Sequence, residues 1–319
     1  MHPIDAYARS HRLKWWELLP WVAAAVVWFV FDDYLALAAQ VAIAILFALS
    51  LDLVLGYAGI VTLGHAAFFG TGAYAAGIYA VHVSGEPLSG LLIGGLAAAT
   101  IGLASGLVLL RTSGLTLLML TLAVAAMLAE AANRAHGLTG GSDGLQGISI
   151  DPVFGLFRFD LFGKTAYLYC VGVLFLAWVF VRRVVHSPFG QSLTGIRENV
   201  ARMHAIGAPV KARLAIGYTV SAALAGVAGA LSAQTTQFVG LSTMGFERSG
   251  AIVIMLVLGG VGRIYGAFLG AALYMIAQDR LAEANPEFWN FWIGLLLVLM
   301  VLFARGGVLG LIDKVRGVG

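Results

Sequence analysis

Asp52 and His65 stand within one apolar stretch, LDLVLGYAGIVTLGHAAFFGTGAYAAG at 51–77, that six glycines also interrupt. An ionisable side chain at membrane depth is costly and points to function by default. Glu130, in LAEAANRAHG, is a second carboxylate within or near an apolar run. Two carboxylates on different helices could share acid–base work. No G-x-G-D surrounds either one, however, and H-E-x-x-H is absent from the chain. Arg134, one helical turn beyond Glu130, offers that carboxylate an ordinary ion pair. The 7 histidines are scattered without ligand spacing, and Cys170 is the single cysteine, so neither a Cys-based metal site nor an internal disulfide is available.

Nucleotide chemistry fails on spacing. FGKT at 162–165 resembles the end of a phosphate-binding loop, but Arg158 stands where G-x-x-x-x-G-K-[ST] requires its first glycine. GVGRIYG at 260–266 misses the dinucleotide fingerprint in the same way. A resident cofactor or metal is therefore not expected in this chain.

The elements that must position Asp52 and His65 follow from composition. The 319 residues are 60% hydrophobic and 11% charged, against about 25% charged in a soluble domain. The net charge of +3 gives no reason to invoke nucleic acid. A bilayer core needs roughly 20 apolar residues per helix. Runs near that size cover 16–31, 35–57, 62–81, 88–110, 115–131, 166–182, 212–236, 249–262, 264–279 and 288–304. The expected fold is an all-α integral membrane protein, a polytopic bundle of about ten spans forming a single membrane domain over 1–319.

With both termini cytoplasmic, only Arg134, Arg158, Lys164, Arg248 and Arg280 of the 19 basic residues lie outside. That skew is the positive-inside pattern. The basic start at Arg9, Arg12 and Lys14 then reads as the flank of an uncleaved first span. Close glycine spacing, as in Gly102–Gly106 and Gly266–Gly270, suits tight helix crossings.

Broken helices survive in membranes only where their freed backbone groups face protein or a water-filled cavity. In the 51–77 stretch the first helix is expected to end around Gly56 to Gly59, with Thr62 capping the next. Asp52, Gly56, Tyr57, Gly59, Thr62, Gly64, His65, Phe68 and Phe69 are the candidate pathway or gate residues there. Asp52 admits three roles: a charge in the pathway, an interfacial group or a structural hydrogen bond. The alternative for the whole break is a short turn whose glycines serve packing. On the outer side, in the connection 132–165, LTGGSDGL supplies Thr139, Gly140, Gly141, Ser142 and Asp143 as an outer gate or a dock for another protein. A solvated turn is the alternative there.

The inner connection, SPFGQSLTGIRENVARMHAIGAPVKAR, places Phe189, Leu193, Ile196, Val200 and Met203 at steps of three and four. The spacing predicts one amphipathic helix over 187–207, with Ser187 as N-cap, Pro188 at the first position and Gly207 as the stop. Arg197, Glu198, Asn199 and Arg202 fall on its other face. Such a helix either lies on the membrane surface or docks, apolar stripe inward, in a partner's groove.

SPFGQSLTGIRENVARMHAIG followed by SAALAGVAGAL resembles the cytoplasmic coupling segment of branched-chain amino-acid ABC transporter permeases. LGYAGIVTLGHAAFFGTGAYAAG, LTGGSDGL, and GAIVIMLVLGGVGRIYGAFLGA through FARGGVLGL resemble further hallmarks of that family, in the same order and across nearly the whole chain past about residue 35.

The resemblance implies a membrane subunit of a bacterial inner-membrane importer. It also implies a second, homologous permease subunit, two cytoplasmic ATPases that bind ATP and Mg, and a periplasmic substrate-binding protein. By the same resemblance the ATPase-coupling segment comprises Ser187, Pro188, Phe189, Gly190, Arg197, Glu198, Asn199, Arg202 and Gly207. Glu198 and Gly207 fall roughly where the importer EAA loop has its acidic residue and glycine, although the residues between differ. The family often has asparagine where this chain has Asp52. The expected activity is import of branched-chain or other hydrophobic amino acids by alternating access. Urea, amides or aromatic acids are the alternative substrates, and a stand-alone secondary transporter is the alternative class.

Overall fold

The computed structural model describes residues 15–153, 155, 157, 163–289, 291–295, 298 and 306–310. Every regular element among them is helical. In chain order the helices are α1 (Leu19–Val30), α2 (Leu35–Asp52), α3 (Ala66–His82), α4 (Pro87–Leu109), α5 (Gly114–Arg134), α6 (Lys164–His186), α7 (Pro188–Glu198), α8 (Val200–Ala205), α9 (Val210–Thr236), α10 (Phe246–Gly259) and α11 (Ile264–Ala284). The sequence determines many of these ends locally. Pro87 and Pro188 sit in the first turns of α4 and α7, where no N–H is lost. Gly207 has φ 79°, which only glycine adopts without cost, and the chain turns there into α9.

Five helical stretches among the described residues are long and apolar enough to cross a membrane, or six if α10 and α11 form one broken span. The α10–α11 direction changes by 116° at Gly260–Arg263. That exceeds a right angle, so α11 heads back toward the side from which α10 came. The first expected span, 16–31, is realised as a 12-residue helix. The last, 288–304, falls largely outside the described residues.

α9 runs through the centre, with Ala222, Ala225, Ala228, Ala230 and Leu231 fully buried. Its small residues let neighbouring backbones approach. A Cβ on Gly72 of α3 would strike the backbone of Gly226, and one on Gly102 of α4 would strike Ala222. Gly106 lies against the Tyr218 ring, and Gly270 lies against the Met255 carbonyl. Both glycine pairs singled out in the sequence therefore sit at helix crossings, where dispersion contacts replace the hydrophobic drive that lipid cannot supply.

Polar contacts join helices at both ends of the bundle. At one end, Glu17 pairs with Arg182 at 2.9 Å. At the other, Lys164 pairs with Asp32 at 2.9 Å, and the Asp151 N–H donates to the Gly85 carbonyl at 2.9 Å. Glu130 takes the ordinary ion pair with Arg134, at 2.6 Å on an exposed face.

Candidate functional site

The 51–77 stretch folds as a helix, a wide turn, an open segment and a second helix. α2 runs without a stop into a π-helical turn at Leu53–Tyr57, a form frequent at functional sites. The chain then opens over 58–65, with Gly59 at φ 73°. The helix end falls where the sequence placed it, but the restart does not. Thr62 accepts the Gly64 N–H within its own turn at 3.2 Å, and α3 begins only at Ala66. The freed Ala66 N–H is satisfied by Ser249 Oγ of α10 at 3.0 Å, so the cap comes from another helix.

Asp52 is almost wholly buried at the end of α2, and its Oδ1 accepts the Gly262 N–H at 2.7 Å. The structural hydrogen bond, one of its three possible roles, is therefore formed. Gly56 lies between these partners, because a Cβ there would meet Asp52 Oδ1 and would come within 2.7 Å of the Gly262 backbone. The Gly56 carbonyl, freed by the break, accepts from the Arg197 guanidinium of α7. The Arg197 stem crosses Gly59, and Tyr57 reaches the backbone at Ile264. Three segments distant in sequence thus meet at one point: the π turn, the inner connection and the α10–α11 bend.

The inner connection departs from the single helix expected over 187–207. Ser187 caps α7 as expected, accepting the Gly190 N–H at 3.3 Å. At Asn199, however, the backbone is extended, with φ −158°, and the Asn199 side chain caps a new helix, α8, by accepting the Arg202 N–H at 2.9 Å. Gly190 fits under the Val184 and Val185 carbonyls, and Gly195 fits against Met203. The apolar stripe also faces a different way. Leu193 and Ile196 are fully buried against the protein's own helices, with Phe189 partly buried, so no partner groove receives them. What α7 and α8 present outward is Glu198, Asn199, Arg202, half-exposed Val200 and Ile206, which is 71% exposed.

His65 and Phe68 are buried among aromatic neighbours. His65 stacks on Phe47 at 5.5 Å, meets Phe68 edge-on and bonds Ser50 Oγ through Nε2 at 2.9 Å. The Ser50 hydroxyl hydrogen is directed to the Phe47 carbonyl at 2.6 Å, so His65 Nε2 is the donor. Phe68 packs on Tyr218, and Gly64 lies under the Thr121 carbonyl of α5.

Phe69 differs. It lines a cavity of about 640 Å³ between α2, α3, α10 and α11, and the Arg248 guanidinium lies 4.3 Å from its ring centroid. Arg248 was counted in the sequence only as an outside charge. Its signal was an arginine heading an apolar run.

LTGGSDGL stands at the far end of α3 and does not meet the break. Thr139 Oγ1 donates to the Ala132 carbonyl at 2.6 Å, which pins the end of α5. Gly140 and Gly141 have φ 74° and 58° and leave no room for a Cβ. Leu145 pairs with Val239 through an N–H to carbonyl bond of 2.8 Å. Ser142 and Asp143 are exposed.

Comparison with known proteins points one way. The profile of a family described as branched-chain amino acid transport system / permease component matches residues 34–301. The high-affinity branched-chain amino acid transport system permease protein LivM of Escherichia coli (strain K12) is 27% identical over 286 residues, 83% of this chain and 67% of that protein. LivM of Salmonella typhimurium is 27% identical over 316 residues, 92% of this chain and 74% of that protein. The autoinducer 2 import system permease protein LsrC of Photorhabdus laumondii is 27% identical over 154 residues, 46% of this chain and 45% of that protein. No solved structure matches.

Proposed function

This chain belongs to the permease family of branched-chain amino-acid transport systems, and from that premise we propose that it is the membrane-spanning subunit of an ATP-driven importer of branched-chain or other hydrophobic amino acids. Its place is the bacterial inner membrane. It works beside a second permease subunit, two cytoplasmic ATPases and a periplasmic binding protein. The ATPases bind ATP and Mg, and this chain contributes no catalytic group.

The observation that carries the reading is the meeting of Arg197 with the Gly56 carbonyl. The π turn leaves that carbonyl without a helical partner, and an arginine of the inner connection takes it. A push on α8, whose outer surface offers Val200, Arg202 and Ile206, passes through α7 to the end of α2 and, through Asp52, to Gly262. α2, α10 and α11 surround the cavity beside Phe69, so the same movement changes that cavity's shape. This is alternating access driven from the cytoplasmic end, with Arg197 as the linking side chain and rigid helices as levers.

Labelled leucine uptake tests the reading in cells with and without this chain, the other components being present. ATP-dependent accumulation that disappears with the chain is the expected result. Accumulation on an ion gradient by the purified chain alone would replace an ATP-driven importer with a secondary transporter. The LsrC relatives belong to an import system for a different solute, so urea and benzoate belong in the same experiment.

A further inference from the structure

The cavity beside Phe69 holds more polar capacity than the protein uses. Arg248, in the first turn of α10, is half-buried over the Phe69 ring. Among the described residues no carboxylate lies within ion-pair distance of it and no acceptor receives its N–H groups. Gln40 of α2 and Gln278 of α11 also line the cavity, and neither amide has a protein partner among the described residues. Glu247 adds a carboxylate at the rim. Between membrane helices such groups require water or a ligand, because hydrocarbon offers them nothing.

These groups are also sorted by depth. Gln40, Gln278, Glu247 and Arg248 all lie toward the end of the bundle where α2 and α10 begin and α11 finishes. Phe47 of α2 and Met255 of α10 lie about two turns further along the same helices and are apolar, and the Phe69 ring faces Arg248 itself. A volume of about 640 Å³ is within the usual range for small-molecule sites, roughly 300–1,000 Å³. One polar end carrying both signs of charge, joined to an apolar floor, matches a zwitterion with a hydrophobic side chain.

We propose that this cavity is the permease's own solute site and that it takes an α-amino acid with an apolar side chain. The α-carboxylate lies on Arg248, the α-ammonium faces Glu247 and the two glutamine amides, and the side chain lies between Phe47, Phe69 and Met255. The inference rests on the amino-acid import reading above and locates selectivity within the membrane. Urea lacks a carboxylate for Arg248, and a carboxylic acid without an amine leaves Glu247 unpaired. Arg suits the role better than Lys, because its planar fork binds a carboxylate in two places while its face rests on Phe69.

The test uses the importer assembled with its partner subunits in lipid, without binding protein. Cys170 is replaced by alanine, and Ala251→Cys provides a thiol in the cavity wall. Millimolar leucine is expected to slow maleimide labelling of that thiol several-fold, whereas leucinamide and urea do not. Arg248→Gln is expected to abolish the protection, and Arg248→Lys to retain part of it. Equal protection by leucinamide, or undiminished protection in Arg248→Gln, would overturn the site. Leucine uptake by the same preparation, supplied with binding protein, separates the two readings. Uptake without any protection by leucine removes this site and leaves the importer. Accumulation of urea or benzoate in place of leucine removes both.

Discussion

Asp52 Oδ1 and the Gly262 N–H, 210 positions apart in sequence, lie 2.7 Å from each other, and the bond fastens the end of α2 to the α10–α11 bend. Asp52 is almost wholly buried and Gly262 partly so, which leaves this N–H as the carboxylate's hydrogen-bond donor among the described residues. Leaving such a donor unpaired costs about 1–3 kcal/mol. Asp52→Ala is therefore expected to lower the melting temperature of the purified complex, and Asp52→Asn, which keeps an acceptor oxygen, to lower it less. Equal melting of wild type and Asp52→Ala would show that the bond contributes nothing.

Gly56 is required by the same contact. A methyl group there meets the Asp52 carboxylate and the Gly262 backbone, which cannot both withdraw. Gly56→Ala is expected to reduce uptake more than tenfold, whereas Gly172→Ala, which has open space around it, leaves uptake near wild type. Uptake in the two variants, normalised to the amount of assembled complex, decides the point.

The orientation of α7 separates two roles that share one connection. The Arg197 guanidinium reaches the Gly56 carbonyl, while Ile206 and Arg202 are exposed without such a contact among the described residues. Arg197→Ala is expected to retain the ATPase subunits in a pull-down and to lose transport, hydrolysis continuing uncoupled. Ile206→Glu is expected to weaken the pull-down itself. Loss of the ATPase in Arg197→Ala, with full retention in Ile206→Glu, would reverse the assignment.

Helix crossings at α9 offer a stability test independent of transport. Gly72→Ala drives a methyl group into the Gly226 backbone, and overpacking of this kind costs roughly 1–3 kcal/mol. Gly172→Ala on α6 meets nothing within 4 Å and serves as the control. Thermal aggregation of the detergent-solubilised protein is expected to begin at lower temperature for Gly72→Ala alone.

Local features were legible in the sequence because their causes are local. The Ser187 cap, the Gly207 stop, the helix end near Gly56 and the Glu130–Arg134 pair each involve residues within about four positions. The restart at Ala66 was placed too early, because Thr62 satisfies its own turn and the cap is Ser249. The break at Asn199 was hidden under a continuous apolar period. That period persists because Met203 of α8 folds back on Gly195 of α7.

What the sequence determined by itself was the solvent and the kind of molecule. Apolar runs near 20 residues, sparse charge and a one-sided basic skew specify a helical membrane protein, and four ordered motifs specify its family. Only the tertiary structure decided the partners: Gly262 for Asp52, the Gly56 carbonyl for Arg197, and for Arg248 the Phe69 face and an open cavity. Hydropathy and capping act along one helix and can be read in order. Which side chains meet depends on where helices cross, and that is set by the summed fit of many small residues on different helices.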